Sequence, residues 1–310
     1  MKTAIDIDLF QKDLSTNLQK REFLIKGILY SFAVISIAVT LGIVYILGKE
    51  AFLFFSGGEV SIIEFFTSGE WQPVIKKFGI LPLLNSTLLT SFIAMVAAGP
   101  MGLFAAIYLS EYASDKFKSK IKPMLEILAG IPTIVYGYFA LTFITPFLKN
   151  IFGYEVVDVY NTASAGIAIG ILIFPMIASM SEDALSGVPS GIKQAAYGLG
   201  ATKLEVSIGI VVPSAVSGIM AAFIIGLSRA VGETMIVALA AGAGSNFTFN
   251  PFRAAETMTG YIARISGGDI GYDTVDYNSI FAIGIFLFII TLILNIISQK
   301  IVQRYREIYD

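Results

Sequence analysis

Long apolar runs recur along this chain and limit what it can fold into. Six stretches of 18 or more predominantly apolar residues lie at about 23–47, 81–109, 124–148, 163–180, 211–243 and 280–298. At about 1.5 Å per residue, each stretch is long enough to cross a hydrocarbon core of roughly 30 Å. Backbone groups in lipid must be satisfied internally, so such stretches cross as helices. The sequence therefore predicts an all-α polytopic membrane protein with six transmembrane helices embedded in a lipid bilayer.

The composition agrees with a membrane protein and excludes several classes of chemistry. Only 14% of residues are charged and the mean hydropathy is +0.77, whereas soluble domains carry roughly 25% charged residues. The chain has no cysteine and no histidine, which removes disulfides, thiolate zinc sites and the commonest general base. A net charge of −2 gives no indication of nucleic-acid binding. No catalytic residue and no metal site is predicted.

The distribution of lysine and arginine predicts the orientation. The segments 1–22, 110–123, 181–210 and 299–310 together hold thirteen Lys and Arg residues, whereas the segments on the opposite side hold six. Because positive charge accumulates on the cytoplasmic side, we expect both termini in the cytoplasm of a multi-pass protein of the cell (inner, cytoplasmic) membrane. The predicted domains are a cytoplasmic head at 1–22, a single transmembrane domain at 23–298 and a cytoplasmic tail at 299–310.

Two opposite charges stand near the middle of the fifth apolar run. An arginine at a bilayer centre costs about 2.5–3.5 kcal/mol on insertion scales, so Arg229 needs a partner or a water-filled path. Glu233 lies four residues on, which predicts one helical face and an ion pair. The pair is either a charge-neutralised packing contact or an anion site, in which the planar guanidinium binds phosphate oxygens. In the second interpretation, Glu233 neutralises Arg229 when the site is empty and accepts a hydrogen bond from a protonated phosphate, which disfavours sulfate.

Smaller features carry weaker predictions. Ser228 and Thr234 flank the charged pair, and their hydroxyls either donate to an anion or satisfy backbone carbonyls. Gly166 and Gly170 are four residues apart in the fourth run, a spacing typical of close helix packing in membranes. Trp71, in a segment rich in phenylalanine, is expected at the membrane interface before the second span.

The segment between the fourth and fifth runs predicts a recognition surface. In 181–210, Gln194-Ala195-Ala196 is followed by three residues and then Gly200; nine residues later comes Ile210-Val211-Val212-Pro213. Two short helices around a glycine form a helix–turn–helix, in which small alanines permit close docking and Gly200 takes a left-handed conformation. Such an exposed element suits helix-in-groove binding by a partner, although an ordinary helical hairpin fits equally well.

This spacing resembles the EAA loop of ABC-importer permeases, with Gln194 in place of the glutamate and Val212 in place of a leucine. The stretches "FGILPLLNSTLLTSFIAMVAAGPMGLFAAIYLSEYAS", "EILAGIPTIVYGYFAL" and "LSRAVGETMIVALAAG" resemble phosphate-specific permeases of the PstC type, and Met235 after Gly-Glu-Thr favours that type over its PstA sister. The resemblance implies a type I ABC-importer permease architecture in which Arg229 and Glu233 take part in translocation. It also implies that Gln194, Ala195, Ala196 and Gly200 belong to the loop that docks into an ATPase subunit.

The resemblance implies partners as well: a PstA-like second permease subunit, two ATPase subunits and an external phosphate-binding protein. Gly48-Lys49-Glu50 lacks the Ser or Thr that a nucleotide-binding loop requires. We therefore expect no ATP hydrolysis and no cofactor on this chain, with ATP and Mg²⁺ bound by the ATPase. The predicted function is the permease subunit of an ATP-driven inorganic phosphate importer. The alternatives are a permease for sulfate, molybdate or phosphonate, an ion-coupled secondary transporter, and a membrane scaffold without a translocation path.

Overall fold

The structure is a computed structural model that describes residues 2–58, 60–244, 246–268, 271 and 274–305, with side chains from 22 to 304. Its chain divides into two compact units, Met1–Glu50 and Ala51–Asp310. The first unit is helical throughout its described part and belongs to α1 (Lys2–Ser56). The predicted head and first span are thus parts of one continuous helix. Residues 306–310 of the predicted tail lie outside the described residues.

Within the described residues, five segments are long and apolar enough to cross a membrane: Glu22–Ser56, Leu81–Tyr112, Thr133–Phe152, Thr162–Ser186 and Val275–Arg304. They correspond to α1, α3 (Leu81–Ile107), α5 (Thr133–Phe139) with α6 (Thr145–Phe152), α7 (Thr162–Ser186) and α14 (Val275–Tyr305). A bent pair of helices supplies a sixth crossing if it counts as one span. The predicted all-α membrane architecture is confirmed.

The third span begins later than predicted. Residues 124–129 belong instead to a separate helix, α4 (Asp115–Ala129), which ends before Gly130. Pro132 disfavours helical geometry at the residue before it, so the chain turns here and α5 starts only at Thr133.

The fifth apolar run is broken twice, and the prediction of one continuous span over 211–243 is wrong. Lys203–Ser214 and Val216–Val231 meet at an angle of 69°. The first arm contains α9 (Lys203–Val206), a π-helical turn and α10 (Val212–Ser214), and the second is α11 (Val216–Val231). Pro213 stands at the bend, where it has no N–H to continue the helix. A second break at 232–234 separates α11 from α12 (Met235–Ala240).

Close packing of α3 against α7 organises the core of the second unit. A Cβ atom added to Gly166 would lie 2.7 Å from the Cβ of Ile93, and one added to Gly170 would lie 2.9 Å from the Cβ of Ala97. The predicted role of these two glycines in helix packing is confirmed. Buried residues of α3, α5, α7, α11 and α12 form one apolar cluster around this contact.

A second cluster surrounds the hairpin of β1 (Trp71–Gln72) and β2 (Lys77–Phe78), in which Trp71 pairs with Phe78. The Trp71 ring meets the rings of Phe78 and Tyr261 edge-on, with centroid distances of 5.5 and 5.0 Å, and is only 2% exposed. The ring is therefore surrounded by protein, and the expected position of this segment at the membrane interface stays a prediction. The cluster also includes residues of α2 (Ile62–Thr67), α13 (Met258–Ser266) and α14.

π-helical turns occur at three places among the described residues: Tyr108–Tyr112 after α3, Ala140–Ile144 between α5 and α6, and Ser207–Val211 after α9. The first and third lie on either side of α8 (Ser190–Gly198) in sequence, and α8 carries the Gln-Ala-Ala motif.

Candidate functional site

The last turn of α11 carries Ser228 and Arg229. The Arg229 side chain is exposed in the isolated chain, and no side chain among the described residues forms an ion pair with it within 4.0 Å. The Ser228 hydroxyl oxygen is buried and has no hydrogen-bond partner among the described residues. This turn therefore presents an uncompensated guanidinium and an unused hydroxyl next to a helix break.

Glu233 lies in that break and is 5% exposed. Its Oε1 accepts hydrogen bonds from the backbone N–H groups of Met235 (3.2 Å) and Ile236 (3.3 Å) at the start of α12. The Thr259 hydroxyl donates to the Glu233 carbonyl over 2.6 Å, which fixes the break against α13. Glu233 is thus held by the backbone and by α13.

The prediction that Arg229 and Glu233 share a helical face and pair is consequently wrong for this conformation. The i, i+4 relation requires continuous helix, and α11 ends at Val231. Thr234 lies in the break, and its hydroxyl donates to the Gly232 carbonyl over 3.3 Å. The Thr234 hydroxyl was predicted either to donate to an anion or to satisfy a backbone carbonyl, and in this structure it does the second.

An arginine–glutamate pair that the sequence analysis did not predict joins Arg264 and Glu256. The Arg264 guanidinium of α13 donates to Glu256 from Nε to Oε1 (2.6 Å) and from Nη2 to Oε2 (3.1 Å). The Glu256 side chain is 3% exposed and that of Arg264 is 48% exposed. The sequence holds one signal for this pair, since Glu-Thr-Met occurs at 233–235 and again at 256–258. In both places a short helix begins at the methionine.

A groove of about 320 Å³ runs between α12 and α13. The lining residues are Met235, Ala238, Gly242, Ala243, Glu256, Gly260, Ala263 and Arg264. The groove lining therefore includes Met235, two residues after Glu233, and the Glu256–Arg264 pair.

The predicted docking loop forms a short helix followed by a left-handed turn. Gln194 and Ala195 are exposed on α8, whereas Ala196 is 6% exposed and packs inward. Gly200 has φ +86°, which confirms the left-handed conformation predicted for it. Leu199 beside it is 91% exposed, so the loop presents an apolar side chain at its tip.

Charged contacts tie this loop to the neighbouring helices. Lys193 of α8 pairs with Glu111, whose side chain is 6% exposed, over 2.6 Å. Near it, the fully buried Glu182 at the end of α7 forms ion pairs with Lys118 and Lys122 of α4. Burial lowers the pKa of Lys122, but hydrogen bonds to Glu182 and Asp183 outweigh that effect and raise the pKa above its ordinary value. We call Glu182, Lys118 and Lys122 the buried charge cluster.

No group of three acidic, histidine or cysteine side chains in the described part of the chain is placed to hold a metal ion. The candidate site accordingly consists of guanidinium, carboxylate and hydroxyl groups arranged along α11, α12 and α13.

Comparison with known proteins identifies relatives over most of the chain. Residues 98–307 match the family described as binding-protein-dependent transport system inner membrane component. The chain is 31% identical over 288 residues to the phosphate transport system permease protein PstC of Mesorhizobium japonicum, covering 86% of this chain and 88% of the relative. It is 35% identical over 260 residues to PstC of Xylella fastidiosa, covering 78% and 79%. It is also 30% identical over 291 residues to a probable ABC transporter permease of Bacillus subtilis, YqgH, covering 93% of both chains.

Solved structures support the same fold. A chain of the bacterial alginate ABC transporter in complex with its pentasaccharide-bound periplasmic protein matches with a TM-score of 0.64 and 16% identity, covering 93% of this chain and 96% of that one. A chain of the inward-facing methionine transporter MetNI matches with a TM-score of 0.54 and 22% identity, covering 77% and 100%. At these identities the likeness concerns the fold alone.

Proposed function

This chain belongs to the family of binding-protein-dependent transport system inner membrane components, and on that premise we propose that it is the permease subunit of an ATP-driven importer of inorganic phosphate. The observation that carries the substrate assignment is the likeness to two PstC phosphate permeases over 86% and 78% of the chain. The chain is a transport subunit and not an enzyme.

Arg229 is the principal phosphate ligand in this proposal. Its guanidinium is exposed and has no ion-pair partner within the described residues, so its donors are available to phosphate oxygens. Ser228 supplies a hydroxyl from the same turn. Glu233 and Thr234 form the break that ends α11, and a carboxylate held there can accept a hydrogen bond from a protonated phosphate that comes within reach.

The complex that we propose contains a PstA-like second permease, two ATPase subunits that bind ATP and Mg²⁺, and an external phosphate-binding protein. The exposed face of α8 with Gln194 and Ala195, followed by Leu199 and the Gly200 turn, docks into an ATPase subunit. Both termini and this loop then lie on the cytoplasmic side, in agreement with the excess of lysine and arginine there.

The experiment is uptake of labelled phosphate by proteoliposomes that contain the whole complex, with and without ATP. We compare the wild type with Arg229→Gln and use Arg253→Gln as the matched control, because Arg253 forms an exposed surface pair with Asp158 at 2.9 Å. We expect ATP-dependent uptake in the wild type and the control, and loss of uptake in an assembled Arg229→Gln complex.

Each alternative has its own outcome in this assay. Uptake of sulfate, molybdate or phosphonate in place of phosphate would replace the substrate assignment with another oxyanion. Uptake that persists without ATP would indicate an ion-coupled transporter. Normal uptake by Arg229→Gln would remove Arg229 from the translocation path.

A further inference from the structure

The groove between α12 and α13 is lined by a buried carboxylate and an exposed guanidinium, those of Glu256 and Arg264. Met235 and Ala238 line it from one face of α12, three residues apart, and Gly242 lines it from the turn beyond that helix. At about 1.5 Å per residue, the six residues of α12 extend roughly 9 Å. Glu256 and Arg264 line it as well, and the Glu256 backbone N–H donates to the carbonyl of Gly244, beyond the end of α12.

From this geometry we propose that Arg264 and Glu256 form a second binding station for a protonated tetrahedral oxyanion in the groove between α12 and α13. The inference deepens the proposed function and rests on it. No residue of this station was part of the site predicted from the sequence.

The donors of Arg264 permit this role. A guanidinium has five N–H donors, and Glu256 takes two of them. Three donors remain for a ligand, and the Arg264 side chain is about half exposed at the groove. The guanidinium also lies 5.4 Å from the centroid of the Tyr261 ring, which limits its orientations. Arg264 is therefore a positioned cation with free hydrogen-bonding capacity.

Glu256 gives the station its selectivity. It is 2% exposed, and its backbone N–H donates to the Gly244 carbonyl over 3.0 Å, so the carboxylate is fixed beside the guanidinium. A fully deprotonated anion would be repelled by this carboxylate. A phosphate that still carries a proton can donate it to the carboxylate while its other oxygens accept from Arg264. Sulfate carries no such proton near neutral pH, so it can accept hydrogen bonds from Arg264 but cannot donate one to Glu256.

The two Glu-Thr-Met segments reinforce the inference. Glu233 and Glu256 are both buried, and each directly precedes the first turn of a short helix. Each also has an exposed arginine in its neighbourhood: Arg229 lies in the last turn of α11, before Glu233, and Arg264 lies in α13, after Glu256. The chain thus twice has a buried glutamate and an exposed arginine at nearby positions, once before α12 and once after it, and in the second case the two side chains form an ion pair.

The chain has no native cysteine, so the reaction of one introduced thiol in this chain measures the access of charged reagents to the groove. Ala238→Cys places it on the lining, where Ala238 is exposed. In proteoliposomes holding the whole complex, we measure the mass shift of this chain on reaction with anionic 2-sulfonatoethyl methanethiosulfonate and with its cationic trimethylammonium analogue. Phosphate or sulfate is then added as a protecting ligand.

We expect the anionic reagent to react faster than the cationic one by on the order of tenfold, since a positive site concentrates anions. Phosphate should slow the reaction and sulfate should not. Arg264→Gln should abolish both the preference for the anionic reagent and the protection by phosphate, whereas Arg253→Gln should leave both unchanged. Glu256→Gln, whose amide can donate a hydrogen bond, should allow sulfate to protect as well.

Arg264→Gln leaves Glu256 buried without its cation and can fail to assemble. The double variant Arg264→Gln/Glu256→Gln removes both charges together and keeps the proposal testable. Equal protection by phosphate and sulfate in the parent, or full phosphate protection in an assembled complex lacking Arg264, would overturn the proposal. Phosphate uptake measured on the same vesicles separates the two ideas: uptake without protection refutes this station, and protection without uptake supports it while refuting the proposed function.

Discussion

The buried charge cluster predicts strongly non-additive effects on stability. The Glu182 side chain is fully buried, whereas Lys118 and Lys122 are 27% and 29% exposed. Replacing either lysine with methionine leaves the other to neutralise the carboxylate, and the lysine lost was already partly hydrated. We expect each single variant to lose about 1 kcal/mol in the free energy of unfolding, as for a partly exposed ion pair.

The double variant Lys118→Met/Lys122→Met leaves a buried carboxylate with no cation. Removing the partner of a buried charge costs about 3–5 kcal/mol. The carboxylate can escape by taking up a proton, which for glutamic acid at pH 7 costs about 3.7 kcal/mol. The expected loss is therefore about 4 kcal/mol, roughly 2 kcal/mol more than the sum of the single variants.

The assay is unfolding of the detergent-solubilised complex by increasing SDS mole fraction, followed by far-UV circular dichroism. Lys116→Met/Lys120→Met is the matched control on the same helix, because both of these lysines are exposed and neither forms an ion pair with a described residue. Adding Glu182→Gln to the Lys118/Lys122 double variant should recover most of the loss. At pH 5 the cost of protonation falls to about 1 kcal/mol, so the penalty should shrink. Additive single variants, or a penalty that does not change with pH, would refute the reasoning.

Three further predictions concern packing, coupling and backbone strain. Gly166→Ala should lower the free energy of unfolding by about 1–3 kcal/mol, because its Cβ would overlap the facing side chain of α3. Gly27→Ala is the control and should have no such effect, since nothing lies within 4 Å of its Cβ. Thermal unfolding in detergent measures both variants. Lys193→Met removes the ion pair that joins α8 to the end of the second span, and should lower the phosphate transported per ATP hydrolysed in an assembled complex; an unchanged ratio would contradict a coupling role. Gly200→Ala should destabilise the loop by about 1–2 kcal/mol through its φ of +86°, although the space around it is open; Gly191→Ala, equally open but without positive φ, should have little effect in the same unfolding assay.

The sequence predicted the spans well because hydropathy is a local property that single residues report. It failed where a run of apolar residues contains a break, as at 232–234 and near Pro213. Hydropathy does not distinguish one long helix from three short ones, and the contact that fixes the second break comes from Thr259, which lies 26 residues from Glu233.

The candidate site was predicted in part for the same reason. Arg229 and Glu233 could be predicted as site residues because charges within an apolar run are visible in the local sequence. The local sequence around Arg264 resembles an ordinary loop. Its partner Glu256 is positioned by the fold of the segment after α12, where the Glu256 backbone N–H donates to the Gly244 carbonyl. Glu182 was assigned to the loop at 181–210, because its burial depends on lysines about sixty residues earlier in the chain. The aromatic hairpin around Trp71 likewise depends on Tyr261, far away in sequence.

The π-helical turn at Tyr108–Tyr112 has a consequence for how related chains are aligned. A π turn holds one residue more than the α-helical turn that it replaces, and one residue rotates everything beyond it by about 100°. Glu111 lies inside this turn, so the extra residue decides which way its carboxylate faces and whether Lys193 can reach it. A relative that lacks the insertion would show a gap of one position here. Its acidic residue would then point about a quarter of a turn away, and the link to α8 would have to be rebuilt from a neighbouring position.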